Sequence, residues 1–186
     1  MMRLTRNQKM LLFMFGCPKQ QLTLDNLERA VKLATNERIE KQLTMLRMKI
    51  RRMKFCESDF AVMYRAVRME LEPYFYAPTL KYDSDADEYY RAFFMLEMAK
   101  SFFVLGFGSY DALDCERNLK MVHVCVTDPR LKKTLENLLC EVHQIQSLAP
   151  ELYMEFLDCH RVTAESQGWI EAVAKSRDFD GEDIRE

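Results

Sequence analysis

A β-sandwich or barrel needs a tight turn roughly every 8 to 12 residues, and tight turns draw on glycine and proline. This chain has only five of each in 186 residues. Its apolar residues recur instead at helical spacing, and at 48% of the composition they suffice to fill a core without disulfide support. The expectation is therefore a mainly α fold. Cys17, Cys56, Cys115, Cys125, Cys140 and Cys159 show no framework spacing and read as free thiols of an intracellular protein, cytoplasmic or nuclear.

Two apolar runs bear on targeting and membranes. Arg3, Arg6 and Lys9 lead into the run over 10–17, but no small-residue cleavage pattern follows and Pro18 stands where cleavage would fall. That run reads as part of a buried first helix. The longest run, 92–107, is interrupted by Glu97 and Lys100 and is shorter than the roughly 20 residues that cross a bilayer. It reads as a core helix, and no membrane partner is expected.

Charge divides the chain in two. Residues 1–54 carry 13 Lys or Arg against 4 Asp or Glu, a balance of +9, whereas residues 55–186 carry 14 against 25, a balance of −11. A basic half suits a polyanion, because clustered Lys and Arg neutralise phosphates and release their counterions. The alternative is that the two halves simply attract each other.

Three helices are expected in the basic half. The first covers 4–15 and ends at Gly16-Cys17-Pro18, since proline pushes the residue before it out of the α region. In the second, Thr23 would be the N-cap, with Leu24, Leu27, Val31 and Leu33 as the buried side and an end near Lys32. Thr35 or Asn36 would cap the third, in which Ile39, Leu43, Leu46, Ile50 and Met53 recur at steps of 4, 3, 4 and 3. Arg38, Lys41, Thr44, Met45, Met48, Lys49 and Arg52 fall on its opposite, cationic side. A helix of this kind behind a short turn can place base-reading and phosphate-binding side chains in a major groove.

Residues 4–50 resemble the winged-helix output domain of bacterial response regulators. The resemblance is carried by Leu4-Thr5, Gln8, Leu11-Leu12, Leu22-Thr23, Leu27, Ala30-Val31, Ile39, Leu43, Leu46-Arg47 and Lys49-Ile50. It implies that the third helix is the recognition helix and that Arg47 and its exposed neighbours contact DNA. The sequence after Arg52 lacks a glycine-rich wing hairpin.

In the acidic half, Phe60, Met63, Tyr64, Val67 and Leu71 fit a helix over 58–71, although Phe60, Val62 and Tyr64 also alternate as a wing strand would. Pro73 should close that helix, leaving 74–88 as a loop with Asp83, Asp85, Asp87 and Glu88. These acids lack the glycine and the distal glutamate of a calcium loop. Residues 89–105 are apolar almost all round and should run through the centre, ending in a cap and turn at Gly106-Phe107-Gly108-Ser109. Val122, Val124 and Val126 alternate, which makes 120–126 the best strand candidate. Asp128-Pro129 should open a helix with Leu131, Leu135, Leu138, Val142 and Ile145 inside, and Ala149-Pro150 another, through about Cys159. Beyond Trp169, the acids from Asp178 to Glu186 read as a frayed tail.

Phosphate-cradling, nucleophile-elbow and zinc-protease motifs are all absent from the sequence. Cys140 and His143, one turn apart, are the right ligand types to share zinc with His123 and Cys125, but paired knuckles are missing and buried thiols with satisfied imidazoles fit better. The reading is a protein with no cofactor, no metal and no catalytic role. It comprises a basic helix-turn-helix-like unit (1–72), an acidic helical unit (73–176) and an acidic tail (177–186). Arg38, Lys41, Thr44, Arg47, Lys49 and Arg52 are the candidate DNA contacts, and the acidic unit is the candidate for protein interaction or dimerisation. The rival reading is a helical adaptor or inhibitor of a larger complex, viral ones included, that uses Met45 and Met48 and has no nucleic-acid role.

Overall fold

The computed structural model describes residues 4–53, 56–75 and 86–166, and at 86–94 and 165–166 it describes the backbone alone. The described residues form α1 (Arg6–Phe15), α2 (Gln20–Leu33), α3 (Glu37–Arg52), α4 (Glu57–Phe75), α5 (Ala86–Phe107), α6 (Ala112–Cys125), α7 (Pro129–Leu148), a 3-10 turn (Pro150–Leu152) and α8 (Tyr153–Ser166). None of the described residues is in a strand, so the fold is mainly α. No helix among them is long and apolar enough to cross a membrane.

Helix α1 starts with a capping box. The Thr5 hydroxyl accepts from the Gln8 amide at 3.2 Å, and Gln8 Oε1 accepts from the Thr5 amide at 3.1 Å. Six consecutive residues, Met10 to Phe15, are buried, so this helix has almost no solvent face. Its end is tight at Gly16, where a Cβ would collide with the Leu12 carbonyl oxygen. The carbonyls left over there find donors from afar. Asn26 Nδ2 donates to Phe15 O at 3.1 Å, the Thr127 amide donates to Met14 O at 2.9 Å, and the Thr127 hydroxyl donates to Gly16 O.

Thr23 is not the N-cap of α2. The helix begins a turn earlier, at Gln20, and Thr23 lies buried inside it. Its hydroxyl donates to the Cys17 carbonyl at 3.0 Å and accepts from the Cys17 amide at 2.9 Å, which fastens α2 to the end of α1 instead of capping α2. Asn36 does cap α3, accepting from the Arg38 and Ile39 amides at 3.0 and 3.2 Å. The whole 4-3-4-3 stripe, Ile39 to Met53, is buried.

The wing-strand alternative over 60–64 is overturned. Phe60, Tyr64, Val67 and Leu71 point inward at helical spacing while Val62 is 64% exposed. Nor does Pro73 close α4. The helix accepts the lost amide and runs on to Phe75, whose ring is buried and stacks on Phe13 with centroids 4.9 Å apart. Tyr74 and Phe75 therefore belong to α4, and the backbone of 86–88 to α5. Asp83, Asp85 and the tail 177–186 lie outside the described residues.

The strand expected over 120–126 is helix up to Cys125. Cys115, Leu119, Val122 and Cys125 form a continuous inner stripe, and that stripe outweighs the local alternation of three valines. Asp128 caps α7, accepting from the Arg130 and Leu131 amides at 3.0 Å each. Its second oxygen meets Arg68 at 2.8 Å, so this buried carboxylate also ties α4 to the start of α7. Leu131, Leu135, Leu138 and Val142 are buried, with Ile145 partly so. Helix α8 runs past Cys159 to Ser166.

One hydrophobic cluster extends from Met10 to Ala164. Helix α1 packs on α2, α3 and α4, while α5 packs on α4, α6, α7 and α8. Phe15 and Phe107 meet edge to face at 6.2 Å and join these two central helices. Helix α3 lies against α2 and α1 and turns its other side outward.

Candidate nucleic-acid interface

The connection between α2 and α3 is three residues long, Ala34-Thr35-Asn36, and it is anchored rather than loose. The Thr35 amide donates to Gly106 O at 2.7 Å, and its hydroxyl donates to Gly108 O at 2.8 Å. The first turn of α3 then rests on the end of α5, where a Cβ at Gly106 would come 3.0 Å from Ile39 Cδ1. The start of α3 is thus tied to the C-terminus of α5, and at Gly106 a larger residue would press on Ile39.

On the far side of the helix, Arg38, Lys41, Met45, Met48 and Arg52 follow one another at steps of 3, 4, 3 and 4, a second stripe opposite the buried one. Arg38, Lys41 and Arg52 are exposed, Met48 is 48% exposed, and Thr44 and Met45 are half-buried. Arg51, which the sequence reading passed over, is exposed on the flank beside Arg47, about a quarter turn from that stripe, where it lines a groove with Asp25, Glu28 and Glu57. Among the described residues, none of Arg38, Lys41, Arg51 and Arg52 has an ion-pair partner. Glu37 and Glu40 are confined to the first turn, where acids suit the helix dipole, and Lys49, Arg51 and Arg52 crowd the last.

Two of the expected contacts are committed to the fold. Arg47 reaches Glu28 on α2 at 2.6 Å, and its Nε is buried without a partner. Glu28 also meets Lys32 at 3.0 Å; the Lys32 hydrogen bond, followed by the Arg47 charge, holds its carboxyl below the usual range. Lys49 Nζ donates to Gln8 Oε1 at 3.1 Å, where it meets the capping box of α1. The open cationic face therefore comprises Arg38, Lys41 and Arg52 around Met48. Lys9 and Glu70, at 2.6 Å, make an ion pair that crosses between the basic and acidic segments.

The late cysteines and histidines are not brought together. His123 pairs with Glu136 at 3.3 Å, His143 with Glu116 at 3.6 Å, Cys125 is buried and Cys140 exposed. Among the described residues, no group of three or more His, Cys, Asp or Glu side chains is placed to hold a metal. His160 Nδ1 lies 3.0 Å from the Ser101 hydroxyl, in contact with the edge of Phe156, and burial pushes its pKa down. Compared with protein-family models, curated proteins and solved structures, the chain matches none.

Proposed function

We propose that the protein is a non-enzymatic regulator that binds duplex DNA through the outward face of α3, with the acidic helices serving protein interaction or self-association. The observation that carries this reading is the run of cations on α3 that no described acid neutralises, on a helix whose other face is fully buried. Arg38 to Arg52 covers about 21 Å along the axis, enough to follow a groove about 12 Å wide and touch phosphates on both sides. The anchored three-residue turn before α3 supports it, since a recognition helix has to be held rigidly.

Fluorescence polarisation with random duplex DNA across a salt series tests the proposal. Three phosphate contacts give a log–log salt slope of about −3, and Arg38→Ala, Lys41→Ala and Arg52→Ala together should remove most of it while weakening binding. Unchanged affinity in the triple variant removes the reading.

Met48, exposed at the middle of the same stripe with Met45 beside it, favours a second reading, an adaptor or inhibitor that receives an acidic, apolar segment of a partner protein. Met45→Ser with Met48→Ser would leave DNA affinity nearly intact under the first reading. Under the second, there is no DNA affinity to measure and partner binding fails.

A further inference from the structure

A cavity of about 220 Å³ lies behind the start of α3, enclosed by the α2–α3 turn, the last turn of α5, the loop after it, and α8. Val104, Leu105 and Leu157 form its floor, each less than a tenth exposed. Tyr110 and Arg161 stand at its rim, with the guanidinium carbon 4.8 Å from the ring centroid. Among the described residues, Arg161 has no ion pair or hydrogen bond. The guanidinium carbon lies over the ring face, and its N–H groups, which no described acceptor takes, form a planar fork that fits a carboxylate with two parallel bonds. The loop that carries Tyr110 is itself held, because Tyr153 donates to Ser109 O at 2.7 Å and the Ser109 hydroxyl accepts from the Asp111 amide at 3.3 Å.

Two other cavities lack this combination. The groove of about 550 Å³ between α2 and α3 presents Asp25, Glu28 and Glu57 beside Arg51, and its Arg47 is already paired. The groove of about 280 Å³ between α2 and α6 is apolar, but Met121 and Val124 in it are 50% and 64% exposed and give no enclosed floor.

We propose that the cavity beside α8 binds a small organic carboxylate with an apolar body. Arg161 takes the carboxylate, and Val104, Leu105 and Leu157 take the body. The site is independent of DNA binding by α3. Because Thr35 and Asn36 also line it, an occupant bridges α8 to the residues that begin α3 and stabilises the folded chain by mass action.

Sodium phenylacetate titrated into the full-length, isotope-labelled protein tests this. Saturable shifts should appear at the amides of Gly108, Ser109, Tyr110 and Arg161, and the midpoint of thermal unfolding should rise. Arg161→Met, which keeps the stem, should weaken binding about tenfold or more, with Arg161→Lys in between, and neutral 2-phenylethanol should bind the unaltered protein about tenfold more weakly than phenylacetate. The comparison of the two ligands holds even if a variant fails to fold. The proposal is overturned if phenylacetate shifts none of these amides up to about 10 mM, if 2-phenylethanol binds equally well, or if inorganic phosphate matches phenylacetate. Equal affinity in a folded Arg161→Met protein also overturns it.

Discussion

Helices α1 and α3 belong to the same basic segment and pack against each other, yet they do opposite things. Helix α1 is ten residues long and buries its last six in succession, so only its first turn, with the exposed Arg6, faces outward. Helix α3 is sixteen residues long and buries one stripe, leaving a continuous cationic face outward. The difference shows that a high density of Lys and Arg in a segment says little about where a polyanion could bind. What matters is which helix has a second face, and whether its cations are already spent on neighbouring acids, as Arg47 is on Glu28.

Substitutions can break the contrast directly. Phe13→Ala empties the site between Phe75 and Arg68, whose guanidinium lies 4.5 Å from the Phe13 centroid, and should destabilise by about 3–5 kcal/mol in urea unfolding. A loss under about 1 kcal/mol there would mean that α1 is not the core helix described. Asn36→Ala removes the cap of α3 and should cost about 1 kcal/mol, with Asn36→Ser restoring most of it. Arg38→Ala or Lys41→Ala should change stability by less than about 0.5 kcal/mol each, so any loss of DNA affinity reads binding and not unfolding.

A smaller effect sharpens the comparison from outside. Neither α1 nor α3 contains histidine, so a pH slope near neutrality has to originate elsewhere, and His160 on α8 is the group that burial depresses. Below its ordinary value of 6.5 the unfolded imidazole takes a proton that the folded one refuses, so the unfolded state gains and stability falls as pH drops through that window. Urea midpoints measured from pH 7 to 5 should decline, and His160→Gln should flatten the decline. A slope identical in the variant would assign the effect to other groups.

Much of this was legible in the sequence where one physical cue dominates. The single stripe of α3, the proline and aspartate that open α7, and the all-round apolar helix α5 each follow from local pattern. Thr23 misled because a hydroxyl near a helix start has two uses, and the choice depended on the main chain of Cys17 folding back to it. The valines of α6 misled because three alternating residues fit either period, and only the earlier Cys115 and Leu119 decide. Within the candidate site, Arg38, Lys41 and Arg52 were readable from helical phase. Arg47 sits at the edge of the face, where the position of Glu28 settles its direction, and the meeting of Arg161 with Tyr110 left no trace in the sequence at all.

The hydrogen bonds from Thr127 to the end of α1 span 113 and 111 positions of sequence, and they give the chain an order of events during synthesis. The most apolar helix of the basic segment leaves the ribosome first, whereas the residue that satisfies its last carbonyls follows on the order of 10 s later at typical elongation rates. Throughout that interval Met10 to Phe15 cannot complete their packing. The yield of this protein on expression should therefore track synthesis rate as much as final stability.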